Sequence, residues 1–166
     1  MNPKTLATVL NLLSLARRCT RAEAGTVYLR EADGLRLLVT QNDKLARFVG
    51  RAGSADLLTR VPQRWTERSI ATYVALTGTP LNIPDAYAIP RDKPYSFNPR
   101  IDSTTGFHTT SMLVVPVQYP INGVLQLINA TNEHGDIVSF SRKAETDVLE
   151  LVAFESELSP WVMGQA

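Results

Sequence analysis

The sequence predicts an α+β domain in which an antiparallel sheet lies between helices. Apolar residues recur at helical spacing near both ends of the chain, which predicts a helix at each end. Two pairs of short segments rich in apolar and β-branched residues lie between them, which predicts strands. The chain has 166 residues and shows no internal repeat and no second apolar core, so we expect one domain.

The first predicted element is a helix over residues 5–20. Its apolar residues recur at helical spacing; they are Leu6, Val9, Leu10, Leu12, Leu13 and Ala16. Arg17 and Arg18 fall in its last turn, where positive charge suits the helix dipole. Residues 25–30 and 35–40 then predict two strands of a hairpin, because an Asp-Gly pair stands in the turn between them.

The middle of the chain predicts a loop, a helix and a short strand. Residues 42–64 are polar and show no period, so we expect a loop there with a helical turn near 55–58. Residues 67–76 return to helical spacing, and Gly78 is the predicted stop. Residues 80–83 then predict a short strand.

Residues 84–106 predict an ordered loop that serves as a binding loop or lid. They contain four prolines, which exclude a long helix or a central strand, and three aromatic residues, which argue against disorder. Residues 111–117 and 124–129 follow as two apolar strands in the sheet centre. Pro116 predicts that the first of these strands bulges or ends close to that residue.

The last predicted element is a helix that begins after Ser141, a suitable cap, and runs to about residue 158. We expect Pro160 to end it, which makes a rigid helical continuation into an effector less favourable. The predicted order is therefore helix, hairpin, helix, strand, loop, hairpin, helix.

Composition excludes several classes of function. The 17 Lys and Arg nearly balance the 16 Asp and Glu, and the net charge of +1 gives no support for nucleic-acid binding. One cysteine, Cys19, excludes an internal disulfide, a redox pair and a cysteine zinc site, and two histidines are too few for a three-histidine metal site. No apolar run approaches the roughly 18 residues that span a membrane, and no signal peptide is visible, so we expect a cytoplasmic protein.

No catalytic motif emerges, so we predict no catalytic residue, no metal site and no enzyme activity. Asp102, His108 and Ser111 lie close together in the sequence, but nothing in their placement enforces a triad. Cys19 lies at the end of a helix rather than at its positive start, which predicts a buried or half-buried inert thiol. We expect His134 on a solvated turn.

Several segments carry a resemblance to a known family. They read Thr-Gly-Thr-Pro-Leu-Asn-Ile-Pro-Asp-Ala-Tyr at 77–87, Thr-Gly-Phe at 105–107, Ser-Met-Leu-Val-Val-Pro-Val at 111–117 and Gly-Val-Leu-Gln-Leu-Ile-Asn at 123–129. In this order they resemble the GAF domain family, most of all the GAF domains of cyclic-nucleotide phosphodiesterases, bacterial adenylyl cyclases and HD-type phosphohydrolases. The resemblance covers residues 5–158, with a tail at 159–166. It implies an antiparallel sheet of about six strands flanked by helices.

The resemblance also implies a non-catalytic regulatory domain that binds a small molecule, most plausibly cyclic AMP (cAMP) or cyclic GMP (cGMP), over the sheet. It places the ligand among ten residues, which are Thr26, Asn42, Ile70, Ala71, Tyr95, Phe97, Asp102, Thr105, Thr109 and Gln126. The amides of Ile70 and Ala71 would meet a phosphate, and Gln126 a purine edge. Tyr95 or Phe97 would stack on the base.

The sequence departs from the family at the Asn-Lys-Phe-Asp-Glu signature. Its five positions are Asn129, Ala130, Phe140, Ala144 and Glu145, so alanines replace both partners of the family's salt bridge. Thr72 stands where a glycine is usual at the start of the middle helix. The lone cysteine lies in the first helix, which argues against the bilin-binding and methionine sulfoxide reductase branches, and no cofactor is required.

The resemblance implies partners as well as a ligand. We expect a homodimer through the apolar faces of the terminal helices, which would pass a signal to an output domain or a partner protein. An alternative stays open: a GAF domain without ligand that serves for dimerisation or protein–protein interaction.

Overall fold

A computed structural model describes residues 1–44 and 63–163, with side chains described through residue 153 apart from that of residue 63. Within these residues the helices are α1 (Pro3–Thr20), α2 (Ile70–Thr77), α3 (Arg100–Thr105) and α4 (Arg142–Met163). The strands are β1 (Ala22–Arg30), β2 (Gly34–Asn42), β3 (Gln63–Arg64), β4 (Leu81–Ile83), β5 (Met112–Val117), β6 (Gly123–Thr131) and β7 (Ile137–Val138). The predicted helical turn at 55–58 lies outside the described residues.

Six strands form one antiparallel sheet in the order β3-β2-β1-β6-β5-β4, and the short β7 pairs with the end of β6. The predicted hairpin of β1 and β2 and the predicted pair of β5 and β6 are both present. β1 and β6 pair with each other, so the two hairpins meet at the sheet centre. The predicted α+β class and the antiparallel sheet between helices are confirmed.

The sheet buries both of its faces. Side chains alternate along a strand, so Leu113 and Val115 of β5 face α1 and α4, whereas Met112 and Val114 face α2. All four are at most 3% exposed. This double burial explains why β5 and β6 are nearly continuous apolar runs in the sequence.

Helix α1 covers one face with a stripe centred on Val9, Leu13 and Ala16, each fully buried. It begins at Asn2, whose side-chain oxygen accepts a hydrogen bond from the Thr5 amide at 2.8 Å. Leu6 and Leu10 lie at the edge of the stripe and remain more than a third exposed. The predicted helix is confirmed, but the face that packs on the core is centred on Val9, Leu13 and Ala16, with Leu6 and Leu10 beside it.

Three local predictions need correction. Helix α2 begins at Ile70 rather than 67, because the Ser69 side chain caps it by accepting from the Thr72 amide at 3.1 Å. Cys19 is exposed, since it lies in the last turn of α1 at the edge of the buried stripe. Helix α4 continues through Pro160 to Met163 instead of ending there. A proline inside a helix removes one backbone hydrogen bond. The helix ends three residues after Pro160, so this loss affects only its last turn.

The predicted loop over 84–106 is ordered, but it is not all loop. Residues 100–105 form α3, which starts directly after the last of the four prolines, at Pro99. Gly106 ends the helix with a φ of 74°, a left-handed conformation that favours glycine. Pro116 lies next to the last residue of β5, as predicted. Among the described residues, no helix combines the length and apolar character needed to cross a bilayer.

Candidate functional site

A cavity of about 110 Å³ lies between the sheet and a cover formed by residues 96–109. We call it the central cavity. Alternate residues of β1, β2 and β6 form its floor, the start of α2 forms one wall, and Phe97, Ile101 and Phe107 line the cover side. Met112 closes the floor at the β5 edge. It is therefore a partly open space beneath the aromatic cover that the sequence predicted.

Three polar side chains form a row across the floor. Thr26 of β1 is paired in register with Thr40 of β2 on one side and with Gln126 of β6 on the other. Thr26 is only 5% exposed, and its hydroxyl lies 3.2 Å from the Thr40 hydroxyl. Asn42 extends the floor along β2. Polar groups in a cavity are costly unless they have hydrogen-bond partners, so a row of half-buried polar side chains around the buried Thr26 suits a polar ligand.

Tyr28 supplies a phenol at the same floor. Burial raises the pKa of its hydroxyl to about 12, and a hydrogen bond with Gln126 partly opposes that shift. Tyr28 is therefore a neutral hydroxyl at physiological pH. The Gln126 amide serves both the Tyr28 hydroxyl and the cavity, in which its remaining donor and acceptor capacity is available to a ligand.

The wall at the start of α2 is tied to the cover. The Ser69 side chain caps the helix, while Ile70 and Ala71 of the first turn line the cavity. The start of a helix carries partial positive charge, which favours an anionic group at this wall. Ser69 also forms a parallel bridge with Ser96, whose amide donates to the Arg68 carbonyl at 2.7 Å.

Asp102 of α3 ties the middle of the cover to its end at Thr109 and to Tyr87 outside it. Its carboxylate is 7% exposed and accepts hydrogen bonds from the Thr109 amide at 2.8 Å, the Thr109 hydroxyl at 2.9 Å and the Tyr87 hydroxyl at 2.7 Å. The hydrogen bond to Asp102 raises the pKa of Tyr87 to about 12. Because both carboxylate oxygens have protein donors, the structure gives Asp102 a role in holding the cover.

Aromatic rings reinforce the cover from outside. The Tyr87 ring stacks on His108 with ring centroids 4.8 Å apart and meets the Phe97 ring edge at 5.1 Å. Phe97 reaches the central cavity from this cluster, so its ring links the outer aromatic layer to the cavity. Such edge and stacked pairs stabilise by about 1 kcal/mol each beyond their burial.

Eight of the ten predicted ligand residues line the central cavity; they are Thr26, Asn42, Ile70, Ala71, Phe97, Asp102, Thr109 and Gln126. Two do not. Tyr95 packs on Tyr73 of α2, with ring centroids 5.0 Å apart, and lines a surface groove instead. Thr105 lines a neighbouring hollow of about 420 Å³, because its position on α3 faces away from the cavity. Contact of the eight with a ligand stays a prediction.

Sequence reasoning missed several lining residues. Tyr28 follows Thr26 at a spacing of two on β1, Thr40 precedes Asn42 by two on β2, and Ile128 follows Gln126 by two on β6. The strand period of two could have identified them, because a residue two positions from one that lines the cavity lies on the same face of the sheet. Phe107 of the cover has no such signal, because irregular backbone has no period, and Ile101 lies in α3, whose six residues are too few to show one.

The positions of the Asn-Lys-Phe-Asp-Glu signature are joined here by packing and hydrogen bonds instead of the family's salt bridge. Ala130 is 3% exposed, and Ala144 packs against the core beside it. Asn82 of β4 binds two of the signature positions: its amide donates to the Phe140 carbonyl at 3.0 Å and to the Glu145 carboxylate at 3.1 Å. The alanines therefore leave an apolar contact and no unpaired charge.

Asn129 joins the cover to the sheet at the same end of β6. It has a φ of 59°, and its amide donates to the His108 carbonyl at 2.8 Å and to Glu23 at 3.0 Å. Its side-chain oxygen accepts from the Thr110 amide at 2.7 Å. The cover is thus pinned at its end by Asn129 and in its middle by Asp102.

The three residues considered as a triad do not form a relay. Ser111 is fully buried and donates to the Val138 carbonyl at 2.7 Å, while His108 stacks on Tyr87 and Asp102 is engaged by Thr109. Among the described side chains, no group of three or more His, Cys, Asp or Glu is placed to hold a metal ion.

Replacing Asp102 with alanine is expected to loosen the cover. The change leaves the buried amide and hydroxyl of Thr109 without partners, at about 1–3 kcal/mol in the free energy of unfolding for each such group. Urea unfolding measures the loss, and amide hydrogen exchange over 100–109 locates it. Ser103→Ala on the exposed side of the same helix is the matched control. Equal effects of the two variants would refute the pinning role.

Alkaline pH is expected to destabilise the protein through Tyr28. The folded state keeps the Tyr28 proton up to about pH 12, whereas an unfolded chain loses it near pH 10. This contribution to stability is full below pH 10 and is lost as pH rises towards 12, with a slope of about 1.4 kcal/mol per pH unit. Urea unfolding at pH 9 and 11 checks this. Tyr28→Phe should show a shallower decline; an unchanged decline contradicts it.

Comparison with solved structures shows the same fold. The GAF domain/HD domain protein of Geobacter sulfurreducens matches with a TM-score of 0.68 and 13% identity, over 93% of this chain and 90% of that one. The type II free methionine-R-sulfoxide reductase of Thermoplasma acidophilum matches with a TM-score of 0.63 and 14% identity, over 93% and 91%. NreA of Staphylococcus aureus, mutated in its nitrate binding site, matches with a TM-score of 0.53 and 15% identity, over 86% and 94%.

Sequence comparison agrees with the fold. The GAF domain profile matches residues 5–158, the range over which the resemblance was predicted. The sheet order, the cover and the cavity beneath it are the structure of that matched range. The chain belongs to the GAF domain family.

Proposed function

We propose that this GAF domain is a non-catalytic sensory domain that binds a small polar molecule in the central cavity. The observation that carries the proposal is the row of Thr40, Thr26 and Gln126 beneath the cover, in which Thr26 is buried and the other two are half-buried. A protein core has no need of three polar side chains at this place, whereas a ligand-binding cavity uses a few placed polar groups among apolar walls.

Size and charge favour a compact ligand. Cavities for drug-sized ligands measure about 300–1,000 Å³, and a cavity of about 150 Å³ accommodates benzene. At about 110 Å³, the central cavity suits a ligand of few heavy atoms. The start of α2 favours an anionic group. The nitrate binding site of NreA, a protein of the same fold, supports a compact anion as one candidate.

A cyclic nucleotide, cAMP or cGMP, is the second candidate. The amide of Gln126 suits a purine edge, Phe97 offers a ring for stacking, and the first turn of α2 suits the phosphate. A cyclic nucleotide is too large for the cavity volume of about 110 Å³, so the cover has to move outwards to admit it. Thr72 in place of a glycine does not block the wall, because its hydroxyl accepts a hydrogen bond from Ser69 at 2.8 Å.

Catalysis has less support than sensing. Cys19 does not line the cavity. Its pKa is raised, first by desolvation and then by the negative charge of Asp147, so its reactive thiolate is disfavoured. The groups in the cavity are neutral hydroxyls and amides apart from Asp102, whose oxygens are engaged. This set binds and orients a molecule but offers no acid–base pair.

Titration calorimetry of ligand-free protein with cAMP, cGMP and nitrate tests the proposal. We expect heat with one of them, and a loss of roughly tenfold or more in affinity on Thr26→Val or Gln126→Leu, because each removes a hydrogen bond at a desolvated ligand. Thr131→Val, at the far end of β6, is the control. Heat that survives both cavity variants would place binding elsewhere, and no heat with any of the three rejects these ligands.

We further propose that terminal helices α1 and α4 form a homodimer and pass the ligand signal to an output domain or partner protein. Leu6 and Leu10 lie side by side on α1 and are 37% and 38% exposed, which leaves apolar surface for a partner. Leu13 is fully buried in the core and takes no part. If no ligand binds, dimerisation alone remains as the function of this module.

Replacing Leu6 and Leu10 together with glutamate is expected to convert dimers to monomers, since charge in an apolar interface is costly. Sedimentation equilibrium measures the mass. Leu76→Glu on α2, where the leucine is 54% exposed, is the control and should stay dimeric. A monomeric wild-type chain, or a double variant that stays dimeric, contradicts the proposed interface.

A further inference from the structure

Arg17 of α1 grips the strand ends that form the floor of the central cavity. Its guanidinium donates to the Gln41 side chain at 3.0 Å, near the end of β2, and to the carboxylate of Asp43, the first residue after that strand, at 2.8 Å. It also donates to the carbonyls of Ala22 at 3.3 Å and Glu23 at 2.8 Å, at the start of β1. The Arg17 side chain is 14% exposed and its Asp43 partner 68%, so water competes mainly for the ion pair between them.

Gly25 of β1 leaves the space that these contacts of Arg17 need. A Cβ on Gly25 would lie 3.3 Å from Cγ of Arg17 and 2.6 Å from Cδ1 of Leu13. The missing side chain therefore lets the last turns of α1 lie close against β1, with the stem of Arg17 flat on the sheet. Ser14 adds a second contact from α1, because its hydroxyl accepts from the Gln41 amide at 3.0 Å.

The residue between the two gripped positions belongs to the cavity. Side chains alternate across a strand, so Gln41 and Asp43 reach α1 while Asn42 lines the central cavity on the opposite face. One guanidinium consequently binds the side chains on both sides of Asn42. A shift of Asn42 moves the two acceptors of Arg17, and a shift of α1 moves Asn42.

We propose that Arg17 is a positioning residue that sets Asn42 for the ligand and couples occupancy of the cavity to helix α1. The inference rests on the proposed function of the cavity. It assigns a route by which binding reaches a terminal helix, namely Asn42, the side chains flanking it, and Arg17. The planar fork of arginine is essential to it, because a lysine keeps the charge but cannot serve several acceptors in fixed directions.

The test compares Arg17→Lys with Arg18→Lys. Arg18 is exposed in the same last turn, so the pair is matched in charge, in chemistry and in distance to the helix end. In ligand-free protein, we expect Arg17→Lys to speed amide hydrogen exchange of residues 41–43 and to broaden the Asn42 side-chain amide signal in NMR spectra. Amides of β5 and β6 serve as the internal reference for global stability, and Arg18→Lys should leave all of these unchanged.

A double-mutant cycle tests the coupling with whichever of cAMP, cGMP or nitrate binds the wild type. Arg17→Lys should weaken that binding roughly tenfold, within the usual range of coupling between sites. If Arg17 acts through Asn42, adding Asn42→Ala should cost no further tenfold, because coupled residues are non-additive. The probe should also change amide exchange over residues 14–20 in the wild type but not in Arg17→Lys.

The outcomes separate the two proposals. If no probe binds the wild type, the proposed ligand fails, while the exchange and NMR comparison still decides whether Arg17 positions Asn42. If Arg17→Lys and Arg18→Lys behave alike at residues 41–43, or if the losses in affinity simply multiply, the positioning role is overturned. A uniform acceleration that includes β5 and β6 also overturns it, since that result assigns Arg17 to global stability alone.

Discussion

Burial of the central strands on both faces is the constraint on which the other features depend. One face of β1, β5 and β6 packs fully against α1 and α4, whereas α2 and the cover reach only part of the other face. The remaining gap is the central cavity. Because side chains alternate along each strand, the same strands that supply Leu125 and Leu127 to the core supply Gln126 and Ile128 to the cavity. The same alternation of side chains along these strands therefore forms the core on one face and the cavity on the other.

The energetics of the cavity follow from its closure. The Thr40 hydroxyl donates to the Gly25 carbonyl at 3.3 Å and lies 3.2 Å from the Thr26 hydroxyl, so what this pair retains for a ligand is acceptor capacity. Gln126 likewise retains capacity after its hydrogen bond with Tyr28. Closure by an aromatic cover makes each unmet group more costly than it would be in water, so a ligand that meets several of them at once gains affinity from the same burial.

Periodicity made most of the sheet predictable from the sequence, but not the detail of the cover. The hairpin of β1 and β2 and the apolar strands β5 and β6 follow from local pattern alone. Tyr95 and Phe97 have the same chemistry and a spacing of two, yet only Phe97 reaches the cavity. Which ring turns inward is decided by tertiary contacts, such as Tyr95 against Tyr73, that no local pattern encodes. Cys19 was misplaced for a related reason, because the rotation of α1 depends on its partner strands.

The cavity has two kinds of attachment, and their strengths differ in a way that suits signalling. The buried Asp102 carboxylate with three donors is a strong tie and holds the cover in place. The Arg17 side chain is 14% exposed, but its partner Asp43 is 68% exposed, so this ion pair is worth little by itself. A weak, well-oriented tie responds to small changes in free energy, whereas a strong one does not. Since coupling is reciprocal, a partner that holds α1 in one position also changes the affinity of the cavity for its ligand.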